Sequence, residues 1–519
     1  MDPNELSARL FRRIAMMEPG ATKPDIAEDP NIAAGIHHLS PQALAVAERS
    51  RTPTISASLF SGTTRLLDAV IVAATGALSL LISAGPVFMT PWAMLTILVG
   101  VVLVTVTFQA ADCYQVPIIR SFGNQLLRVT LALAMIFGGL TAVQLLGSFG
   151  TGLPRHWLSL WFGTATLLLL LFRTSAALLA KHWTETGRLG HRAVVVAGHA
   201  SIEEVIRNIE RQPGSPIRIC GIFDDRGPER TPTMVAGYPT LGSVSDLIEF
   251  ARIAHVDMVV VTIPINAEDR LLRILKKLWV LPVDIRLAAH TDTLDFRDRA
   301  SSYTGSLPFV DVVEKPLADW DAIAKRGIDL LFTSIALLLL FPVMLLTAIA
   351  IRLDSPGPVF FRQKRYGFNN EVIEVLKFRS MYHDQADPLA KQVVTKGDSR
   401  VTRVGRFIRK TSIDELPQLF NVLTGELSLV GPRPHAINAH TEDRLWEQVV
   451  EGYFARHKVK PGITGWAQVN GWRGEVDSVY KIHKRVEYDI YYIENWSILF
   501  DLYIMFRTPF ALLNTENAY

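Results

Sequence analysis

The chain predicts a membrane protein of mixed class: a four-helix transmembrane bundle, a doubly wound α/β domain, and a polar, motif-rich C-terminal region headed by one more apolar segment. Three observations lead there. Apolar residues make up 49% of the 519 positions and mean hydropathy is +0.22, high for a soluble chain. Long charge-free runs cluster in the first third, whereas strand-like and helix-like patterns alternate after His191. A last run, without charge between Asp329 and Arg352, carries Pro342 near its middle.

Residues 1–60 read as a cytoplasmic tail, polar and partly disordered. They include Arg12 and Arg13, but no apolar stretch follows soon enough for a cleavable signal peptide. Residues 61–182 hold four spans. No charge lies between Asp68 and Asp112, and "AGPVFMTP" from Ala84 to Pro91 divides that run in two. A third span lies between Arg128 and Gly147, and a fourth runs from near Trp157 through "LLLLLF" to about Phe172, where Arg173 is placed to snorkel outward. The connections from Ala84 to Pro91 and from Gly147 to His156 hold one cation, Arg155; Arg51, Arg65, Arg120, Arg128, Lys181, Arg188 and Arg192 lie on the other side. The positive-inside rule therefore puts both ends of the bundle in the cytoplasm.

Net charge is only +3, which gives no field to attract nucleic acid. The two cysteines, Cys113 and Cys220, make neither a disulfide framework nor a thiolate metal site.

Residues 190–300 alternate strand and helix: "RAVVVAG", Ser201 to Arg211, "IRICGIF", Ser243 to Ala254, "VDMVVVTI", Glu268 to Trp279. Such alternation implies a parallel, doubly wound, Rossmann-like sheet. Its first turn, "GHASIE", keeps Gly198 but has Ala200 and Glu203 where a dinucleotide fingerprint needs glycines. A glutamate there meets pyrophosphate with like charge, so the domain is read as structural or regulatory.

Residues 320–519 begin with the proline-bearing segment, 328–351. A proline removes one helix hydrogen bond and clashes with the preceding turn, so Pro342 makes either a kinked crossing or a hairpin returning to the side of entry. Lys325 and Arg326 precede the segment; Arg352, Arg362, Lys364 and Arg365 follow it. Both flanks are positive and prefer the cytoplasm, which favours re-entry. Further on, Arg400, Arg403, Arg406 and Arg409 recur every third residue, as a stripe facing a phosphate-rich surface would. Asp414 and Glu415 follow in "TSIDELP", where Ser412 and Glu415 also fit a capping box. Adjacent acids on a helix point about a hundred degrees apart and cannot share one task. Arg433, in the rigid turn "GPRP", suits a phosphate or carboxylate fork. Acids between fixed cations suit phosphoryl transfer with a hard ion such as Mg²⁺. The loop "KVKPGITGWAQVNG" presents Trp466, Gln468 and Asn470, for ring stacking and edge hydrogen bonding or for a structural turn.

At "SPGPVFFRQKRYG", "KFRSM", "RKTSIDELPQLFNVLTGELSLVGPRP", "RHKVKPGITGWAQVNG" and "YDIYYIENWSILFDLYIMFRT" the chain resembles the bacterial sugar transferases, polyprenyl-phosphate glycosyl-1-phosphate transferases, in their long membrane-bound form. The likeness is dense from Lys325 to Thr508, and the spans and α/β domain resemble that family's N-terminal extension. It implies a mainly α, monotopic catalytic domain on a re-entrant helix at the inner membrane. The implied reaction moves a hexose 1-phosphate, glucose or galactose, from a UDP-sugar to undecaprenyl phosphate with Mg²⁺, releasing UMP and starting an exopolysaccharide, capsule or O-antigen unit. Carried over, Asp414 is the nucleophile and Glu415 its assistant, the two holding the metal. Arg409, Arg433, Lys377 and Arg379 meet phosphates, Lys325 and Arg326 the lipid phosphate, and Gln468 the substrate. This chain has Phe341 where the family often has serine before the proline. The bundle and extra domain also offer surface for a homodimer. Two rivals remain: a membrane-bound nucleotide-sugar dehydratase or epimerase, for which Tyr480 and Lys484 give the Tyr-x-x-x-Lys spacing, and a non-enzymatic scaffold.

Overall fold

A computed structural model describes residues 39–85, 90–146, 154, 156–197, 202–211, 217–226, 232–263, 267–288, 302–304, 307–383, 398–437, 440–441, 444–450, 453–474, 476 and 478–513. Two compact units emerge, one of Thr52–Arg192 with Glu210–Arg218, the other of Met1–Arg51, Ala193–Ile209 and Ile219–Tyr519. In chain order, helix α1 (Pro41–Arg49) precedes four long apolar helices: α2 (Ala57–Ala84), α3 (Pro91–Ala110), α4 (Phe122–Leu146) and α5 (Trp157–Glu185). Ser56 and Thr90 cap α2 and α3 through their hydroxyls, and Pro91 opens α3 where no N–H is needed.

The four long helices pack around two tryptophans of α5. Trp157 and Trp161 stack at 5.5 Å, and their indole N–H groups donate to the carbonyls of Gly76 and Val72, each at 3.0 Å. Glycine is required opposite: a Cβ at Gly76 or Gly100 would lie 2.8 or 2.5 Å from the Trp161 ring. Arg173 does not snorkel. It is 2% exposed, ion-paired with Asp68 at 2.5 Å, donates to the Cys113 carbonyl at 2.7 Å, and lies over the rings of Phe108 and Tyr114. Asp68 gives the guanidinium an internal counter-ion, which an apolar surround favours over a long reach to water.

In the second unit, α1 is not a free tail. Ala43 and Ala47 sit in the same core as Val244, Leu247 and Phe250, and the Ser40 hydroxyl donates to the Leu241 carbonyl. Residues 1–38 lie outside the described residues. The sheet runs β3 (Met234–Val235), β4 (Tyr238–Gly242), β2 (Ile217–Asp224), β1 (His191–Ala197), β5 (Met258–Val261), β6 (Asp284–Ala288), β8 (Leu307–Val313), β7 (Ser302–Thr304). The pairs β1–β5 and β5–β6 are parallel, with Val194, Val196, Val259 and Val261 fully buried as a two-sided parallel sheet demands. Helices α6 (Ile202–Glu210), α7 (Val244–Ile253) and α8 (Glu268–Leu278) connect them, and Ser243 forms a capping box with Asp246. The sheet continues past residue 300, because β8 and β7 add an antiparallel edge. Gly198 and Ala200 of the broken fingerprint lie outside the described residues; Glu203 opens α6 and pairs with Arg207 at the surface.

Helix α9 (Asp319–Asp354) is the longest, 36 residues and about 54 Å at 1.5 Å per residue. It is continuous through Pro342, not divided into the two half-helices of a hairpin. Only the proline's own donor is lost, and among apolar side chains the flanking backbone has no polar alternative to its helix bonds. One stripe of α9 is buried: Lys325, Asp329, Thr333, Met344, Thr347, Ile351. The opposite face leaves Leu338, Leu339, Phe341, Leu346 and Leu353 exposed. Both ends grip one folded region. Near its start, Lys325 donates to the Val430 carbonyl and Arg326 to those of Val422 and Leu423; near its end, Met344 and Ile351 pack with Phe378 and Ile408. That region comprises the antiparallel ribbon β9 (Phe360–Tyr366) and β10 (Val372–Phe378), helices α10 (Arg403–Lys410) and α11 (Gln418–Thr424), the parallel pair β11 (Ser428–Val430) and β12 (Gly462–Thr464), and helices α12 (Val479–Glu494) and α13 (Ile498–Leu513). Among the described residues five helices, α2 to α5 and α9, are long and apolar enough to cross a membrane.

Asp68→Asn leaves the Arg173 charge buried alone and should destabilise the bundle by about 3–5 kcal/mol, whereas Asp68→Leu with Arg173→Met should recover most of that. Thermal unfolding in detergent, followed by the fluorescence of Trp157 and Trp161, checks this. Equal stability of single and double variants would show that the pair is no strut.

Candidate active site

Helix α10 ends at Lys410, and Ser412 then adopts a left-handed conformation with φ 59°, which turns the chain into a tight 3₁₀ turn, Ile413–Glu415. That conformation precludes the capping box. The Ser412 hydroxyl instead accepts from Arg473 at 2.5 Å. Pro417 follows and α11 begins.

The turn separates the two acids, as their adjacency predicts. Glu415 faces inward and is gripped by two cations: Lys377 at 3.0 Å, and Arg433 at 2.5 Å to one oxygen and 3.3 Å to the other. Burial alone would raise the Glu415 pKa, but Arg433 and Lys377 reverse it and hold the carboxylate well below its usual range. Asp414 has no hydrogen-bond partner among the described residues. Burial pushes its pKa up to about 6, against the pull of Lys377 and with the help of the Glu415 charge. Burial lowers Lys377, while Glu415 raises Arg433.

Arg433 is placed by backbone packing. Its neighbour Gly431 has no room for a side chain: a Cβ would lie 2.5 Å from the Lys460 carbonyl oxygen. Gly462 and Gly465 approach Gly431 as closely, at 2.1 and 2.2 Å for their notional Cβ atoms. The glycines of "KVKPGITG" thus clamp "GPRP". Arg456 donates to the Arg433 carbonyl at 2.8 Å and Arg365 to that of Pro434 at 2.5 Å.

Of the residues singled out by sequence, Asp414, Glu415, Lys377 and Arg433 come together. Arg409 lies in the last turn of α10, close enough to Asp414 for its charge to favour the ionised carboxyl. The others make contacts away from the two acids. Lys325 is buried between Asp501 at 2.7 Å, Asp329 at 3.7 Å and the Val430 carbonyl at 3.0 Å. Arg326 caps the end of α11. Arg379 is 3% exposed and donates to the carbonyls of Ser355 and Pro356, closing the chain after α9. Gln468 is buried and donates to the Ile463 carbonyl, and Trp466 packs among Tyr488, Tyr491 and Phe500. The arginine stripe shortens to an eight-residue helix with Arg403 and Arg406 solvated, while Arg400 precedes it and pairs with Asp398. Tyr480 and Lys484 lie on the surface of α12, with Lys484 paired to Glu487.

Sequence reasoning missed Arg473. It follows the "KVKPGITGWAQVNG" loop, and its pKa is lowered by burial and then by the charge of Arg433. The missed signal was a cation just beyond a glycine-fixed loop.

A half-buried carboxylate with no hydrogen-bond partner among the described residues, beside a second held by cations and near the end of an apolar helix, fits a membrane-associated transferase. The chain belongs to the bacterial sugar transferase family, which matches residues 320–515; a CoA-binding domain family matches residues 109–289. It is 34% identical over 434 residues to the UDP-glucose:undecaprenyl-phosphate glucose-1-phosphate transferase of Xanthomonas campestris pv. campestris, covering 81% of this chain and 88% of that protein. The enzyme of the same name from Escherichia coli (strain K12) is 38% identical over 389 residues, 75% of this chain and 81% of its own length. The UDP-N-acetylgalactosamine-undecaprenyl-phosphate N-acetylgalactosaminephosphotransferase of Aeromonas hydrophila is 46% identical over 198 residues, 38% of this chain and 45% of that protein.

Lys325→Met leaves Asp501 buried without its cation and should lower the stability of the C-terminal region by about 3–5 kcal/mol. Denaturant unfolding of the full chain in detergent measures this. Unchanged stability would return Lys325 to the ligand-binding residues.

Proposed function

We propose that this chain is an undecaprenyl-phosphate hexose-1-phosphate transferase, moving a hexose 1-phosphate from a UDP-sugar to undecaprenyl phosphate and releasing UMP. The observation that carries this is the division of labour at positions 414 and 415. Lys377 and Arg433 take up Glu415, so Asp414 is the carboxylate left to react. Glucose is the first donor to test, because two relatives aligned over most of the chain are named for UDP-glucose, with galactose second.

In the first step an Asp414 oxygen attacks the phosphorus that bears the sugar, and the bond to the bridging oxygen breaks. UMP leaves and a phosphosugar remains on the aspartate. In the second, an oxygen of the lipid phosphate attacks the same phosphorus and the carboxylate is restored. Neither step needs a proton. Arg433, Lys377 and Arg473, whose charges act on Asp414, would stabilise the charge that builds on the phosphoryl oxygens.

Mg²⁺ fits here only in part. Among the described residues no three acidic, histidine or cysteine side chains form a cage, and Glu415, surrounded by cations, is a poor host for another. Asp414 would hold the ion together with the substrate phosphates; bound there, Mg²⁺ would neutralise phosphate charge.

Although α9 is continuous through Pro342, the grip of one folded region on both its ends supports a helix bent at that proline and re-entrant at the inner membrane, with α2 to α5 as the transmembrane bundle. The cations at the cytoplasmic flanks support a catalytic domain on that face, where the enzyme would begin a polysaccharide repeat.

Purified chain given labelled UDP-glucose, Mg²⁺ and undecaprenyl phosphate should release UMP, and Asp414→Asn should fall below about one-thousandth of wild type. EDTA should stop release and Mg²⁺ restore it. Without lipid, wild type should retain labelled phosphosugar; a fully active Asp414→Asn would sink the covalent route.

The ionised form of Asp414 is the nucleophile, so the rate should rise with pH through about 6 and then level. Glu415→Gln removes the charge that opposes ionisation and should move this limb to lower pH. A limb that stays in place assigns it to another group.

A further inference from the structure

Within the second unit a cavity of about 630 Å³ opens between the α/β domain and the C-terminal region, inside the size range of small-molecule sites. Trp279, Glu314 and Lys315 line it from the α/β domain, and Lys458, Glu494 and Trp496 from the other side. None of Asp414, Glu415, Lys377 or Arg433 reaches it.

Lys458 is 7% exposed, yet its ammonium has no hydrogen-bond acceptor among the described residues. Its nearest partner is the Trp279 ring, at 5.0 Å. An ammonium on a cavity wall with no acceptor bonded to it is open to an anion from the cavity. Burial pushes its pKa down to about 7, and the Glu494 charge opposes this only in part. Glu314 and Glu494 are exposed. Lys458 is thus mostly buried and the two acids are exposed, with the Trp279 ring against the ammonium.

We propose that this cavity binds a nucleoside phosphate, with its phosphate on Lys458 and Lys315, its base against Trp279 and Trp496, and sugar hydroxyls or base N–H groups donating to Glu314 and Glu494. Each wall then meets the chemistry it suits: an anion for buried ammonium, a flat ring for indole, donors for carboxylates. Lys458 ends the short helical stretch Tyr453–Lys458, whose Arg456 holds the Arg433 carbonyl. The site adjoins the back of the catalytic loop while remaining separate from the nucleophile.

Equilibrium dialysis of the full chain in detergent, with labelled AMP, GMP and UMP in turn, tests this, the wall variants and Asp414→Asn telling this cavity from the catalytic site. At least one nucleotide should be retained, with Kd raised about tenfold or more by Lys458→Met and by Trp279→Ala, and unchanged by Asp414→Asn. Should Lys458→Met fail to fold, Trp279→Ala decides. No retention of any of the three, or retention indifferent to the wall variants, overturns the proposal. Inorganic phosphate bound as tightly as the nucleotides overturns the assignment to nucleosides.

Discussion

The chemistry rests on the ion pair that takes Glu415 out of use. Two acids adjacent in sequence, left alike, would share whatever cations lay nearby, and neither would be both ionised and free. The 3₁₀ turn sends their side chains apart by about 120°, at three residues per turn. Arg433 and Lys377 reach only the inward one closely. The cations then act on Asp414 at a distance, enough to favour its charge without quenching it by a direct bond. Ser412 makes that geometry: its left-handed backbone lets a helix end and a tight turn begin within two residues.

What holds Arg433 also joins the site to the apolar helix. Gly431 follows Val430, whose carbonyl accepts from Lys325 at 3.0 Å and from Tyr492 at 3.1 Å. Lys325 belongs to α9, so the start of the apolar helix and the arginine turn are joined through one strand end. At the other end of α9, Phe378 packs against Met344 and Ile351 and is the residue after Lys377. Each cation gripping Glu415 is thus tied to one end of the same helix. A shift of α9 would move both, which gives a physical reason for anchor and catalytic turn to be folded as one piece.

Much of the fold was legible because its signals are periodic. Charge-free runs marked α2 to α5, and runs such as "AVVV" and "MVVV" marked buried parallel strands. Helix α1 was missed because its apolar face is narrow, alanines at 43 and 47, and becomes a core contact only when α7 is beside it. In the site, Asp414, Glu415 and Arg433 could be picked out because charge of both signs recurs in short rigid motifs, whereas Lys377 entered only through the family resemblance. The Ser412–Glu415 capping box was a false match: spacing was right, but no spacing reveals a positive φ. For Gln468 the sequence left a ligand contact and a structural turn open; in the fold its loop packs backbone against backbone and its amide donates to the Ile463 carbonyl.

Two cations that border apolar runs find their partners far away in sequence. Arg173 was read as reaching outward and instead meets Asp68, 105 positions away; Lys325, which the resemblance places at the lipid phosphate, meets Asp501, 176 positions away. Proximity to an apolar run says where a cation starts and nothing about where its partner lies. The acids were the better guide. Asp68 opens a charge-free run and Asp501 sits inside "SILFDLYIMF", places where an ionised carboxylate is expensive unless a cation is brought to it. A lone acid in an apolar stretch demands an internal cation. A lone cation has a second option, because its long side chain can reach water, so its position alone decides nothing.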